Sequence, residues 1–434
     1  MRSIKYERNI EVKYEADICV VGGGPSGVAA AVSAARSGAK VCLFEKEQCF
    51  GGAATAAKVP AFMRFSDGVN FLAGGIGREI FNKLYGDSEY TPIEFSIPVE
   101  KLKKIYDEMV SDSGVDFLFE TTLIDVNAED GTVINAVFKG KEKLFAVSAK
   151  YFIDATGDGF LASSAGADFE MGDEEGHMMP ATLCSIWGDI DWDRAVVELG
   201  KDPDNRQLRQ AFEDNVFTVK DPGLPGMWRF SRHYGGGNIG HVFGVDGTDE
   251  KSITDGIIQA RKRMKEYEYY YNHYLEGYEN AVVLMTGDVL GIRETRRIVC
   301  DYMSKMEDYI NHAVFEDEIG RYCYPIDIHS YDIDSSENFE ELYAKGYGIG
   351  KSYGISYRSL LPKNLHNVIT AGRCIGAERA MMGSMRVMPC CFITGMAAGT
   401  AAALASRNNE ELHKINIKEL QDMLVAQGAY LPNK

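Results

Sequence analysis

Asp17-Ile18-Cys19-Val20-Val21-Gly22-Gly23-Gly24-Pro25-Ser26-Gly27 joins an apolar run to a glycine-rich turn, and an Ala-rich stretch follows. The pattern reads as a strand, a tight turn and a helix. The next apolar run, Val41-Cys42-Leu43-Phe44, ends in Glu45 and Lys46. Glycines at such a turn let backbone approach a pyrophosphate, and the N–H groups that open the helix stabilise its charge. The Glu45 carboxylate can accept hydrogen bonds from ribose hydroxyls. A GxGxxG alone is weak evidence, but strand, helix and acid together point to a dinucleotide site. A glycine loop that merely starts a helix would not need the acid.

The chain has 434 residues, 45% of them apolar, which suits a large core and roughly two or three domains. A net charge of −18 disfavours nucleic acid as a partner, because that role needs clustered positive charge. The nine cysteines are scattered without CxxC and read as reduced thiols of a cytoplasmic protein. The N-terminus shows no apolar core of a secretory signal. No run approaches the ~18 uninterrupted apolar residues of a membrane helix, so no membrane partner is expected.

Gly38 suits the left-handed position that ends the first helix. Ala29, Ala30, Ala31 and Ala34 would let that helix lie close to a sheet. Val99, Leu102, Ile105, Met109 and Val110 give a helix over Pro98–Ser113. Strand-like runs follow at 115–119, 122–126, 133–137 and 144–147, with Asp130-Gly131 as hairpin turn. Tyr151-Phe152-Ile153-Asp154-Ala155 then runs into Thr156-Gly157-Asp158-Gly159.

Composition shifts near Glu170, and up to about Lys345 the chain is richer in Tyr, His, Arg and acids. Strands are expected there at 181–187, 227–232 and 295–300. A long helix is expected from near Ile253, behind a capping box at Ser252-Ile253-Thr254-Asp255. Its tyrosine-rich stripe reads as core packing. Further on, Asn367–Gly372 reads as a strand. Met388-Pro389 opens a small-residue helix to Leu404, whose positive end would face something negative.

The glycine turn, the Ala155–Asp158 strand end, the Asn367–Gly372 strand and the Pro389 helix together resemble a flavoprotein family. These are FAD-dependent oxidoreductases whose flavin domain is similar to those of glutathione reductase and of the succinate dehydrogenase and fumarate reductase flavoproteins. Gly291-Ile292-Arg293-Glu294-Thr295-Arg296-Arg297, Tyr357-Arg358-Ser359-Leu360-Leu361-Pro362, Ala371-Gly372-Arg373-Cys374-Ile375 and Gly383-Ser384-Met385-Arg386-Val387-Met388-Pro389 are similar to a bacterial branch of it. The resemblance runs from residue 16 to about 405. It implies an α/β fold: a discontinuous, Rossmann-like FAD-binding domain from residues 1–170 and 345–434, with an α+β substrate domain, 171–344, inserted.

It also implies roles. Gly22, Gly24 and Gly27, with Pro25 and Ser26, would turn around the pyrophosphate, and Glu45, beside Lys46, would hold the adenosine ribose. Gly51-Gly52, with Ala53 and Thr55, matches the family's diglycine segment. Ala155, Thr156, Gly157 and Asp158 match its second cofactor-facing strand end. Relatives carry Gly-Asp where Gly372-Arg373 stands here, so a backbone N–H could replace that carboxylate on the ribityl chain. Val387 and Met388 open the helix that would face the flavin pyrimidine, where its dipole stabilises charge developing on reduction.

Ala53-Ala54-Thr55-Ala56-Ala57 stands where dithiol reductases carry their cysteine pair, which excludes disulfide exchange there. No His precedes the diglycine, so non-covalent FAD is expected. Gly74-Gly75-Ile76-Gly77 has neither strand nor acid, which argues against a dedicated NAD(P)H domain. Electrons would then pass to or from a small substrate, another protein, a quinone or oxygen. Cys390-Cys391 reads as packed thiols rather than a redox pair.

Hydride chemistry at flavin N5 needs a substrate grip and a route for a proton. Arg293, Arg296 and Arg297 read equally as a carboxylate clamp or as an ion-pair network at the domain interface. Arg386 is the leading candidate for a charge near the flavin, against an ion pair with Glu378 or Asp158. Tyr357 could close the pocket. His233 and His241 flank Gly235-Gly236-Gly237, read as a flexible loop over a pocket. No metal site is indicated, since the histidines lack ligand spacing. The expectation is hydride transfer between FAD and a small-molecule substrate, with the electron partner unspecified and a homo-oligomer allowed. The alternatives are a flavin monooxygenase using NAD(P)H and oxygen, and a non-catalytic flavin-binding protein. A transfer-RNA flavoprotein is disfavoured by the charge.

Overall fold

Val12–Val21 is the central strand of a parallel layer, and its last four residues are fully apolar and buried. It pairs in parallel with Val41–Phe44 on one side and Leu144–Asp154 on the other. Asp116–Leu118 extends one edge and Val368–Thr370 the other. On its other side the first half of Leu144–Asp154 pairs antiparallel with Thr132–Lys139, which forms a hairpin with Thr122–Glu129. Asp130 at φ 44° and Gly131 at φ 76° are the left-handed pair such a turn demands. These strands make one seven-stranded sheet. The computed structural model describes residues 3–86, 95–195, 206–221, 223, 226–331 and 348–434.

Parallel strands need crossovers, and helices supply them. The Pro25–Arg36 helix packs against the Met388–Asn408 helix from the other end of the chain. The approach is backbone to backbone. A Cβ on Gly395 would sit 2.2 Å from the Ser26 carbonyl oxygen, and one on Gly399 would sit 2.1 Å from that of Ala30. Small residues in the first helix therefore serve a helix–helix contact as well as contact with the sheet. Met388–Asn408 has the length and apolar composition of a membrane span, but its apolar stretch is wholly buried inside the protein.

The inserted unit carries an antiparallel sheet in the order Met227–Arg229, Tyr234–Gly237, Ser185–Gly188, Val282–Thr286. Behind it lies the Glu250–Tyr274 helix, and Tyr267, Tyr270 and Tyr271 pack with Trp187 and Tyr278 in one apolar cluster. The helix starts earlier than the proposed capping box. Asp249 is its cap, because its carboxylate accepts from the Ser252 N–H. Gly235-Gly236-Gly237 is not a flexible loop but a buried strand. A Cβ on Gly235 would meet the Trp192 ring at 2.6 Å, and one on Gly236 the Phe230 ring at 2.2 Å. Those glycines make room for aromatic cover.

Composition places residues 306–328 in the inserted unit, yet they pack elsewhere. Tyr309, Ile319, Tyr322 and Ile326 share the apolar core of Val20 and Phe392. Glu318–Tyr322 pairs with Tyr353–Ser356. The charges that disguised this stretch are internally matched, with Arg321 2.7 Å from Glu318 and both buried. The expected joint at 344–345 lies outside the described residues.

Gly399→Ala should push the two long helices apart and cost about 1–3 kcal/mol, the usual range for overpacking. A urea midpoint unchanged from wild type, followed by far-UV circular dichroism, would show that the helices can separate without cost.

Candidate functional site

The carboxyl ends of Val12–Val21, Val41–Phe44, Leu144–Asp154 and Val368–Thr370 fall on one edge, which is where open α/β sheets bind ligands. The glycine turn, Glu45, Ala155–Asp158 and Gly372 directly follow them. Gly22 adopts φ 96°. A Cβ there would lie 2.5 Å from the Ala155 carbonyl oxygen, and one on Gly27 only 1.8 Å from that of Gly22. The turn is therefore closed by its own backbone. Gly24 differs: a Cβ there would meet nothing within 4 Å. No side chain caps the helix that starts at Pro25. An uncapped helix start beside open space fits a pyrophosphate, so the residues present fit a dinucleotide.

Glu45 is buried and accepts from the Gly23 N–H at 2.5 Å and the Glu47 N–H at 2.8 Å. Burial raises its pKa against those bonds. Lys46 and Ala53 are exposed, while Gly51 gives its N–H to the Gly23 carbonyl at 2.8 Å and so ties the diglycine to the turn. Thr55 donates to the Phe50 carbonyl at 2.6 Å. Ser26 donates to the Ala371 carbonyl at 3.3 Å, and a Cβ on Gly372, at φ 83°, would meet the Ser26 hydroxyl at 2.5 Å.

Thr156 shapes its own loop. Its N–H and hydroxyl both reach Asp154, and its oxygen accepts from the Asp158 and Phe160 N–H groups. Asp154 is fully buried and also accepts from the Ala162 N–H. An acid closing an apolar strand was the available signal for it. Arg373 turns to Asp158 at 2.7 Å, and Asp158 also accepts from Thr295 at 2.9 Å. The guanidinium that departs from the family pattern is thus held by a carboxylate from the second strand end.

The Arg293–Arg297 run does not converge. Arg293 donates to the Pro180 carbonyl at 2.7 Å and the Thr182 hydroxyl at 2.9 Å. Glu294 accepts from the Met179 N–H and from Arg379. Arg296 donates to the Asp158 carbonyl and lies over the Phe169 ring. Arg297 donates to the Gly172 carbonyl at 3.0 Å. Alternating strand geometry sends neighbouring side chains to opposite faces. Arg296 therefore braces the joint between the two units instead of gripping substrate.

Two other candidates leave the site. Tyr357 is buried in the core and donates to the Leu412 carbonyl at 3.0 Å, so it closes no pocket. His233 is exposed at the turn before Tyr234–Gly237, with its N–H on the Ser231 hydroxyl. It turns away because the glycines it was thought to flank form a strand.

His241 and Arg386 do converge, with His329 and the carboxylates of Asp221 and Asp327. Asp221 holds His241 Nδ1 at 3.2 Å, and His241 Nε2 meets His329 Nδ1 at 2.8 Å. His329 Nε2 lies 3.2 Å from Asp327. Asp327 accepts from Arg386 at 2.9 Å, in place of Glu378 or Asp158. The Arg386 Nε is buried without a hydrogen bond among the described residues. Burial and the Arg386 charge push Arg293 down to about 10. Burial and the Arg293 charge push His329 down to about 4. Burial alone would raise Asp327, but His329 and Arg386 outweigh it and hold the carboxyl well below the usual range.

This cluster adjoins the flavin-domain helix. A Cβ on Gly383 would meet the Asp327 backbone at 3.0 Å, and Cys391 donates to the Arg386 carbonyl at 3.4 Å. Burial pushes the Cys391 thiol up to about 12, and that of Cys390 rises too, as packed thiols require. Lys58 is a further residue missed by sequence. It is buried at φ 57° just past the diglycine segment, 2.7 Å from Asp288 of the inserted unit.

A parallel sheet with this glycine turn, and an acid closing its second strand, has the form of a dinucleotide-binding protein. The chain belongs to the FAD-dependent oxidoreductase family, whose profile matches residues 17–424. FAD is its cofactor, and the family is one of enzymes. Thiamine thiazole synthase of Pyrococcus horikoshii is 31% identical over 176 residues, 36% of this chain and 62% of that protein. Its counterpart from Pyrococcus abyssi is 30% identical over 178 residues, again covering 62% of the relative. The chain thus spans under two thirds of the length of these curated relatives. Among solved structures, a geranylgeranyl bacteriochlorophyll reductase-like protein from Thermoplasma acidophilum is similar at a TM-score of 0.48 and 14% identity, covering 96% of this chain and 84% of that one. The p-nitrophenol 4-monooxygenase of Pseudomonas putida also gives 0.48, at 12% identity, with 96% and 85% covered.

Gly24→Ala should fold normally, since its Cβ meets no atom of the described residues within 4 Å, yet weaken FAD binding about tenfold or more, equivalent to about 1.4 kcal/mol. Flavin titration of the apoprotein measures this; undiminished affinity would place the pyrophosphate away from the turn.

Proposed function

We propose that the protein holds FAD non-covalently and moves a hydride between the cofactor and a small organic substrate bound beside Arg386, Arg293 and His329. The observation that carries this reading is the meeting of two buried guanidiniums and two imidazoles next to the N-terminus of the Met388–Asn408 helix. When bound, FAD supplies the acceptance or delivery of a hydride. The protein must do the rest. Arg386 pairs with Asp327, while Arg293 is bonded to the neutral oxygens of Pro180 and Thr182, and its uncompensated charge suits an anionic group on the substrate. The buried Arg386 Nε is a donor available to it. His329 is the titratable group at hand for the proton.

Non-covalent attachment rests on the sequence before the diglycine, Cys49-Phe50, which offers no imidazole for a flavin bond. Gly74-Gly75-Ile76-Gly77 supports hydride exchange with a substrate over a nicotinamide domain. It packs on the core, where a Cβ on Gly75 would clash with the Met396 sulfur.

The test is a visible spectrum of the purified protein, release of flavin by acid, and anaerobic bleaching by candidate hydroxy acids and amines. Reoxidation of the reduced enzyme by unsaturated acids covers the reverse direction. Releasable FAD that responds to one substrate class supports the proposal; flavin retained by the acid precipitate overturns non-covalent binding. Arg386→Gln removes a charge-assisted contact of about 1.5–3 kcal/mol. It should raise KM for an anionic substrate about tenfold or more.

A further inference from the structure

We propose that Asp221, His241, His329 and Asp327 form a proton relay that is stored loaded, with one proton more than two neutral imidazoles carry, and that unloads at its His329 end. The argument is a count of protons across three contacts. Asp221 faces His241 Nδ1 at 3.1–3.2 Å, His241 Nε2 faces His329 Nδ1 at 2.8 Å, and His329 Nε2 faces Asp327 at 3.2 Å. Each contact sets a lone pair against a lone pair unless a proton lies between them. An ionised carboxylate brings none, and a neutral imidazole brings one. Two neutral rings therefore supply two protons for three contacts. The third makes one ring an imidazolium.

The surroundings decide which ring. Asp327 already pairs with Arg386 at 2.9 Å, whereas Asp221 has no guanidinium or ammonium in ion-pair contact among the described residues, so the added proton belongs to the ring that faces Asp221. His241 then gives Nδ1–H to Asp221 and Nε2–H to His329 Nδ1. His329 stays neutral with its proton on Nε2, directed at Asp327. Asp221 is fixed for this task, since it also accepts from the His241 and Gly223 N–H groups at 2.8 Å each. Burial would raise the Asp221 carboxyl, but its bonds and attraction to His241 outweigh that and lower it.

The groups facing the relay come from several elements. Arg263 donates to the His241 carbonyl from the Glu250–Tyr274 helix, where Tyr267 also lies near Asp221. The charge of Arg293 acts on His329 and Asp221, and Arg386 closes on Asp327. The two ends differ in access. The Asp221 and His241 side chains are 5% and 9% exposed, whereas His329 and Asp327 are 22% and 36% exposed. A proton can leave only toward the open end, which is the end beside Arg386.

Unloading balances as follows. The proton on His329 Nε2 passes to the substrate. The proton on His241 Nε2 moves to His329 Nδ1, and His241 remains neutral with its Nδ1–H on Asp221. An activated C=C bond that accepts this proton on one carbon accepts a hydride on the other, the hydride coming from the reduced cofactor. One π bond breaks, two C–H bonds form, and the cofactor is oxidised. A relay loaded at rest therefore equips the protein for the reducing direction on an unsaturated anionic substrate. This step rests on the hydride reading above, but the protonation of the relay does not.

The experiment is nitrogen-15 NMR of the histidine-labelled holoenzyme, oxidised and without substrate, at pH 7, with His241→Gln and His329→Gln for assignment. One ring protonated at both nitrogens and one neutral ring with Nε2–H are expected, and Asp221→Asn should abolish the charged ring. Two neutral rings in a yellow, folded enzyme would overturn the relay. A colourless protein would overturn the flavin reading instead, and the same spectrum would still judge the relay. In single-turnover reoxidation by an unsaturated acid, His241→Gln should slow the rate about 10²-fold, the lower range for general acid catalysis, with FAD content and substrate affinity unchanged. Equal rates across pH 6–9 for wild type and His241→Gln would also overturn it.

Discussion

The contact between the Pro25–Arg36 and Met388–Asn408 helices is the constraint on which everything else hangs. Gly395 and Gly399 let two helix backbones meet, one from each end of the chain. That contact fixes where Gly372 stands against Ser26, and hence how the last strand end joins the glycine turn. It also fixes the start of Met388–Asn408, and Arg386 is carried into place by the residues just before it. The dinucleotide turn and the charged cluster are therefore set relative to each other by a single close packing of small residues.

Charge pairing forms the second layer of the design. Arg373 with Asp158, Arg379 with Glu294 and Lys58 with Asp288 tie the inserted unit and the loops around the glycine turn to the flavin domain. Most of these groups are partly or wholly buried, where losing one partner would leave a costly lone charge. The cluster at Arg293 and Arg386 is matched differently. Arg386 takes Asp327, while Arg293 rests on the neutral oxygens of Pro180 and Thr182.

The nucleotide-binding half was legible because its signals are local. A glycine spacing, an apolar run and an acid lie within residues 17–45, and each alone restricts the backbone. The charged cluster was legible only in part. His241 and Arg386 stood out by residue type and neighbourhood, but Asp221 and Asp327 come from irregular segments with no period to read. Tyr357 and Arg296 misled because side-chain direction is set by strand and turn geometry, which adjacent sequence does not state. Gly235–Gly237 misled for a related reason: glycine in a strand can signal a large neighbour instead of a mobile backbone, and here the neighbours are Trp192 and Phe230.

Leu144–Asp154 pairs its first half with the local hairpin and its last residues, Phe152 to Asp154, with Val368–Thr370. During synthesis the hairpin can zip as soon as it emerges, while Phe152 to Asp154 on the same flank have no neighbour there until Val368–Thr370 is made. Pairing across such a sequence distance is slow and leaves an apolar edge open meanwhile. Birth of this protein is thus a late, all-at-once closure, and a chain stalled before residue 368 would present a sticky, half-built sheet to the cell's quality control.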